Sequence, residues 1–277
     1  MKDNLSLNDS SKHIEVVSAC DLNPKYLSCI PLFIASWNLI SRASTWDFIP
    51  RIALIANEIP TELAPYEKYL ELIDPGEFSA PFVAQNIRLF MGGSSDANLV
   101  ITSDIDMLPA SARLYEYAAK RALIKDSFVI VRDVLPEGEF PICYNVASPE
   151  VWRLLFGPNK EVSGPENFLL KVMTSYDPSR QYSGVHGGQG WNIDQQNLYD
   201  VVTSHSQSLN VIKLADSETK HRRLDRIHHR SLFKWVSSFL VPFSYYSDYH
   251  VHHPVRENNR FINFYLFMLE KQVWRRS

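Results

Sequence analysis

The stretch NLVITSDIDMLPA, Asn98 to Ala110, decides how the chain reads. A run of apolar, strand-forming residues stops at two acids with one residue between them, and Asp104 and Asp106 sit against Val100, Ile101, Ile105 and Met107. An isoleucine between two aspartates suits neither a solvated charge run nor a buried core. Such a pair at a strand end has two uses. It is a ligand set for a hard divalent cation, which prefers oxygen donors and often bridges one or two carboxylates to substrate phosphates. Alternatively, the acids turn and cap the chain ahead of the helical run LPASARL.

On both sides of this stretch short apolar runs alternate with helical patterns, the signature of an α/β fold with a mostly parallel sheet flanked by helices. The expected strands are IEVVSAC (14–20), RIALIAN (51–57), NLVITSD (98–104) and SFVIVRD (127–133), with LELIDP (70–75) as a shorter one ending at Asp74. Between the first two, Tyr26, Ile30, Phe33, Ile34 and Trp37 recur at offsets of three and four, which marks one buried helical face. Pro31 is expected to kink or restart that helix. After the acids, SARLYEYAAKRAL puts Leu114, Ala118 and Ala122 on one stripe, with Ser111 placed to cap its start.

Composition bounds the remaining possibilities. At 277 residues and 45% hydrophobic, the chain can bury a full core in one large domain or in a domain with an appendage. No run approaches the roughly 20 apolar residues that span a bilayer, and the start MKDNLSLNDSSKHIE lacks the apolar stretch of a secretory signal. Cys20, Cys29 and Cys143 form no zinc-type spacing and are too few for a disulfide framework, which favours a reducing, cytoplasmic setting. The net charge of −3 hides an asymmetry, because residues 206–277 carry 12 Lys and Arg against 6 Asp and Glu. Seven of the nine histidines also lie beyond residue 200. The expected organisation is therefore a flexible tail (1–13), a catalytic domain (14–205) and a basic, aromatic C-terminal extension (206–277).

In open α/β sheets ligands bind beyond the carboxyl ends of the strands. Those ends carry Ser18, Cys20 and Asp21, then Asn57 and Glu58, then Asp104 and Asp106, then Arg132 and Asp133. The usual phosphate and nucleophile signatures are missing: there is no G-x-G-x-x-G after the first strand, no P-loop, no G-x-S-x-G and no H-E-x-x-H. A carboxylate pair remains, suited to a metal that neutralises a diphosphate.

A strand ending in SDIDM, a later GWNIDQQNLY and the opening VVSACDLNPKYLSCIPLFIASW together resemble the GT-A nucleotide-sugar glycosyltransferases, including members from glycan-building bacteria and large algal viruses. The resemblance covers residues 14 to 205, with a weaker echo at YSDYHVHHP. It implies a hexosyl- or related sugar transferase that uses Mn²⁺ or Mg²⁺ and a nucleotide-diphosphate-sugar, UDP-linked, with a glycan or lipid-linked acceptor. By that resemblance Asp106 ligates the metal, Asp104 contacts the donor ribose or reaches the metal through water, and Ile105 contacts the donor. Ser18, Ala19, Cys20, Asp21 and Asn57 bind base and ribose. Gln85 and Arg88 lie one helical turn apart, where a cation reaches a phosphate. Asp194, at the start of a helix after the Gly-rich HGGQGWN, is the base if transfer inverts configuration and only positions substrate if it retains it. Trp191 stacks on a sugar, and Tyr144 and Asn145 bind the acceptor. The third metal ligand comes from DYHVHHP, with His250 ahead of His252 and His253.

The basic and aromatic KHRRLDRIHHRSLFKW and FINFYLFMLEKQVWRR suit a peripheral contact with the inner face of a membrane, where a lipid-linked acceptor sits, or a packed helix with a charged face. Arg222, Arg223 and Arg226 are also placed to close over a donor diphosphate. No nucleic-acid module is present, so no such partner is expected. The competing functional readings are a metal-dependent phosphohydrolase or nucleotidyltransferase and a catalytically silent binding protein.

Overall fold

Long β-branched runs buried on both faces dictate the centre of the molecule. In the computed structural model, which describes residues 12–132, 134–157, 164–176, 182–185, 187–224, 243–251, 255 and 260–274, these runs form the middle of a seven-stranded sheet. The chain proceeds through β1 (His13–Asp21), α1 (Pro24–Leu27), α2 (Ile30–Arg42), β2 (Asp47–Ile55), a 3₁₀ segment (Thr61–Tyr69) and β3 (Leu70–Ile73). It continues through α3 (Ala80–Gly92), β4 (Leu99–Thr102), β5 (Met107–Pro109), α4 (Ala112–Ala122), β6 (Ser127–Ile130) and β7 (Asn145–Ala147). Then come α5 (Pro149–Phe156), α6 (Pro165–Ser175), α7 (Ile193–Ser204), β8 (Asn210–Lys213), α8 (Asp216–Thr219), β9 (Arg222–Leu224), β10 (Tyr246–His250) and α9 (Arg260–Trp274).

The sheet order is β3-β2-β1-β4-β7-β6-β8, and only β7 runs against its neighbours. Alternation along β1 feeds two cores: Ile14, Val16 and Cys20 join the side covered by α2, α4 and α9, while Val17 and Ala19 join the side covered by α3, α5, α6 and α7. On the first side Trp37 is fully buried and packs edge-on against Tyr115 with ring centroids 4.9 Å apart. Removing a side chain so placed costs about 3–5 kcal/mol.

The α/β class and the five expected strands are present, with no strand end more than four residues from its expected place. Pro31 restarts the helix rather than kinking it, because it occupies the first turn of α2, where its missing N–H is harmless. Ser111 stands at the start of α4 but does not cap it; its hydroxyl is buried and has no hydrogen-bond partner among the described residues. The expected boundary at residues 205/206 is not a structural break. β8 is the edge strand of the main sheet beside β6, and β9 and β10 form a second sheet with β5. At the other end β1 begins at His13, so that residue belongs to the sheet and not to the tail. Among the described residues no helix is long and apolar enough to cross a membrane.

Candidate functional site

A tight turn sets the two acids on either side of a buried isoleucine. β4 ends at Thr102, the Ser103 N–H donates to Val17 O at 2.9 Å, and the Met107 N–H closes back on Asp104 O at 3.1 Å. Ile105 is buried in the core at 4% exposure, while the carboxylates beside it turn into a cleft of about 230 Å³. Met107 then pairs with His250 across β5 and β10, and the Val251 N–H donates to Asp106 O at 3.0 Å. This second sheet brings the imidazole Nε2 of His250 to 3.2 Å from Asp106 Oδ2.

Most of the expected site residues converge on this cleft. Ala19, Cys20 and Asp21 line one edge; Asp104, Ile105, Asp106 and His250 line the floor; Arg88, Trp191 and Asp194 line the opposite wall. Four others are not among its lining residues. Asn57 is exposed beyond the end of β2, and Ser18 is buried within β1. Tyr144 and Asn145 are fully buried, so an acceptor cannot reach them. The Tyr144 hydroxyl donates to Met107 O at 3.2 Å, and the Asn145 amide donates to Pro141 O at 2.8 Å and Ile142 O at 2.9 Å. Their polar atoms brace the strand behind the acidic turn. Asp133, His252, His253 and Arg226 lie outside the described residues.

Arg88 is not an available phosphate contact. Its Nη1 pairs with Asp104 Oδ1, its Nη2 donates to Asp194 Oδ2 at 2.8 Å, and its Nε donates to Gln85 O at 3.2 Å. Burial opposes its charge, but the two carboxylates outweigh burial and hold the guanidinium above its ordinary pKa. Gln85 in turn donates to Gly190 O at 3.0 Å and Trp191 O at 2.6 Å, fixing the Gly-rich turn that leads into α7.

Asp194 differs from an exposed general base. It is 2% exposed, and its other oxygen accepts the Gln195 N–H at 2.9 Å. Burial pushes its carboxyl up to about 6, against the pull of Arg88 and with the added push of Asp104. Desolvation dominates, and the one guanidinium, shared between Asp194 and Asp104, offsets it only in part.

Among the described residues no group of three His, Cys, Asp or Glu side chains forms a ready-made metal cage. Two of the three expected ligands nevertheless fit a hard cation, since Asp106 and His250 present an oxygen and a nitrogen to one another at the cleft floor. Asp104 is turned to Arg88 instead. Such a partial set matches a cation that is completed by substrate phosphates rather than by protein alone.

Tyr26, which the sequence pattern assigns to a buried helical face, also lines the cleft, as do Ile142, Tyr182 and Gln195, for which the sequence offers no site role. Tyr182 packs edge-on against Trp191 with centroids 5.3 Å apart, so the two make one aromatic wall. Gln195 follows Asp194 directly and lay within the quoted GWNIDQQNLY, where position was the available signal. Deeper in the C-terminal wall, Asp248 is fully buried between Arg223, whose Nε donates to it at 2.9 Å, and Arg132, whose Nη1 lies 3.5 Å away. Arg132 also grips both oxygens of Asp216, at 2.9 and 2.6 Å.

No protein-family model and no curated protein matches the chain. Among solved structures it is similar to the glycosyltransferase GlyE of Streptococcus pneumoniae TIGR4, with 15% identity and a TM-score of 0.47, over 96% of this chain and 63% of that one. The chain thus spans less than two thirds of the length of GlyE. It is also similar to mouse xyloside xylosyltransferase 1 (12% identity, TM-score 0.41), over 89% of this chain and 100% of that one. A smaller overlap, 58% of this chain and 47% of the other, relates it to the bifunctional IspDF of Campylobacter jejuni (13% identity, TM-score 0.31).

Proposed function

We propose that this protein is a GT-A-like, metal-dependent glycosyltransferase that moves a hexosyl or related sugar from a nucleotide-diphosphate-sugar, UDP-linked, to a glycan or lipid-linked acceptor. The observation that carries the reading is the convergence of Asp106 and His250 with the β1 end Ala19–Asp21 in one cleft beyond the carboxyl ends of the parallel strands. Asp21 and the backbone of Ala19 and Cys20 take the base and ribose at one edge. Trp191, backed by Tyr182, offers an apolar face to the sugar at the other. Asp106 and His250 would hold Mn²⁺ or Mg²⁺, which would supply positive charge to stabilise the departing diphosphate.

Asp194 acts in this reading as a positioning residue. Both of its oxygens are engaged, by Arg88 and by the Gln195 N–H, so it fixes Arg88 and the donor-side wall, a role different from both the base and the direct substrate contact expected from the sequence. The acceptor hydroxyl approaches past Trp191, and the basic C-terminal region lies against an anionic membrane surface when that acceptor is lipid-linked.

The test is a transfer assay with a panel of sugar nucleotides, with and without Mn²⁺, that follows release of the nucleoside diphosphate. Mn²⁺-dependent release from one donor supports the proposal. Pyrophosphate release from a nucleoside triphosphate, or phosphoester turnover without sugar, would replace it with a nucleotidyltransferase or phosphohydrolase. Absence of turnover together with absence of nucleotide binding would remove it.

A further inference from the structure

We infer that Arg223 forms an oxyanion site on the C-terminal wall of the cleft and binds a phosphate of the donor beside the Asp106–His250 pair. The inference rests on the donor site proposed above and assigns a side chain to it from the geometry of the second sheet. Two arginines line the cleft among the described residues, Arg88 and Arg223. The nitrogens of Arg88 are engaged by Asp104, Asp194, Ser103 O and Gln85 O. Arg223 is arranged the other way round.

Its Nε is anchored to Asp248, and the only other contact recorded among the described residues is the Cys143 thiol, 3.9 Å from Nη2. A thiol is a weak acceptor, so the terminal fork of a guanidinium that is only 27% exposed lacks an oxygen partner among the described residues. The anchor itself is rigid. Asp248 is fully buried, accepts the Ser247 hydroxyl on its other oxygen and is flanked by Arg132, which is tied to Asp216. The side chain is therefore held at one end, with a planar pair of donors at the other, which is the geometry that grips phosphate oxygens bidentately.

Its position suits that role. Arg223 stands opposite Asp248 in the parallel pairing of β9 with β10. Asp248 and His250 are alternate residues of one strand and share a face, so Arg223 flanks the imidazole that meets Asp106. The remaining charges on the cleft wall are mostly acidic, with Asp21, Asp104, Asp106 and Asp194 against Arg88 and Arg223. An anionic donor entering such a site gains most from a cation that is not already held by two carboxylates.

Calorimetric titration tests this on the full chain with saturating Mn²⁺, using UDP, GDP, ADP, CDP and dTDP and the matching nucleosides. One diphosphate is expected to bind more tightly than its nucleoside. Arg223→Met should weaken that diphosphate about tenfold or more and leave the nucleoside unchanged, with Arg223→Lys recovering part of the loss. Because Arg223→Met leaves Asp248 half paired, the double variant Arg223→Met/Asp248→Asn repeats the test with the buried charge removed. An unchanged ratio of diphosphate to nucleoside affinity overturns the role of Arg223 and leaves the donor site standing. Equal losses for both ligands make Arg223 a structural residue and also overturn it. If the unmodified protein binds no diphosphate of the panel, the donor reading fails and this assignment falls with it.

Discussion

The two walls of the cleft use similar side chains in opposite ways. On the helical wall, Arg88 of α3 and Asp194 of α7 are buried and pair with each other, and Gln85 is committed to the turn before α7. On the strand wall, Asp106, His250 and Arg223 meet the cleft with their functional ends and take their support from behind, from the β5–β10 pairing and from Asp248. Burial and charge alone therefore do not separate a ligand-binding arginine from a structural one. What separates them is where each hydrogen-bond donor goes.

That contrast is sharpest if substitutions on one wall disable binding and those on the other disable folding. The largest expected effect is for Asp106→Ala, which should abolish Mn²⁺-dependent binding of the nucleoside diphosphate in a calorimetric titration while leaving the protein folded. Retained binding with full metal dependence would take the metal away from Asp106. Next is Arg88→Met, which leaves the Asp194 carboxylate buried without its cation and should cost about 3–5 kcal/mol in urea unfolding. A loss below about 1 kcal/mol would show that the helical wall is not built as described.

A smaller effect is expected from pH. Because the folded protein raises the Asp194 carboxyl to about 6, folding favours its protonated form. The contribution of this group to stability is greatest below the ordinary carboxylate range, falls as pH rises to about 6 and is level above that. Asp194→Asn cannot titrate, so between pH 4 and pH 7 the stability of the unmodified protein should decline relative to the variant by on the order of 2 kcal/mol. A relative gain over that range would mean that the attraction of Arg88 outweighs burial. The smallest effect is at the start of α4: Ser111→Ala should change stability by less than about 0.5 kcal/mol, whereas a working cap would cost about 1 kcal/mol.

The strands β1, β2 and β4 were legible because their β-branched runs are buried on both faces and end in polar residues. The three-residue β7 was not, because Asn145–Ala147 carries too few positions to show a period, and the reversal of its direction leaves no mark in local composition. The same brevity hid β5 and β9, and with them the reason that His250 meets Asp106. The family resemblance alone assigns Tyr144 and Asn145 to the acceptor, yet their partners are main-chain carbonyls far away in sequence or across a tight local loop. Asp104 and Asp106 were found together because both jobs offered to them, turn and site, are performed by the same four residues.

The pairing of β5 with β10 also has a consequence for the order of assembly. Asp106 and His250 are separated by 144 positions along the chain, and the strand that joins them is held down by α9, where the Tyr265 hydroxyl donates to Pro109 O at 2.7 Å and Gln272 donates to Ala110 O at 2.8 Å. Domains form from the N-terminal side as the chain is made. The nucleotide edge can therefore exist on a nascent chain, whereas the floor of the cleft is sealed only after residue 272 has emerged, so synthesis delivers a scaffold first and a competent site last.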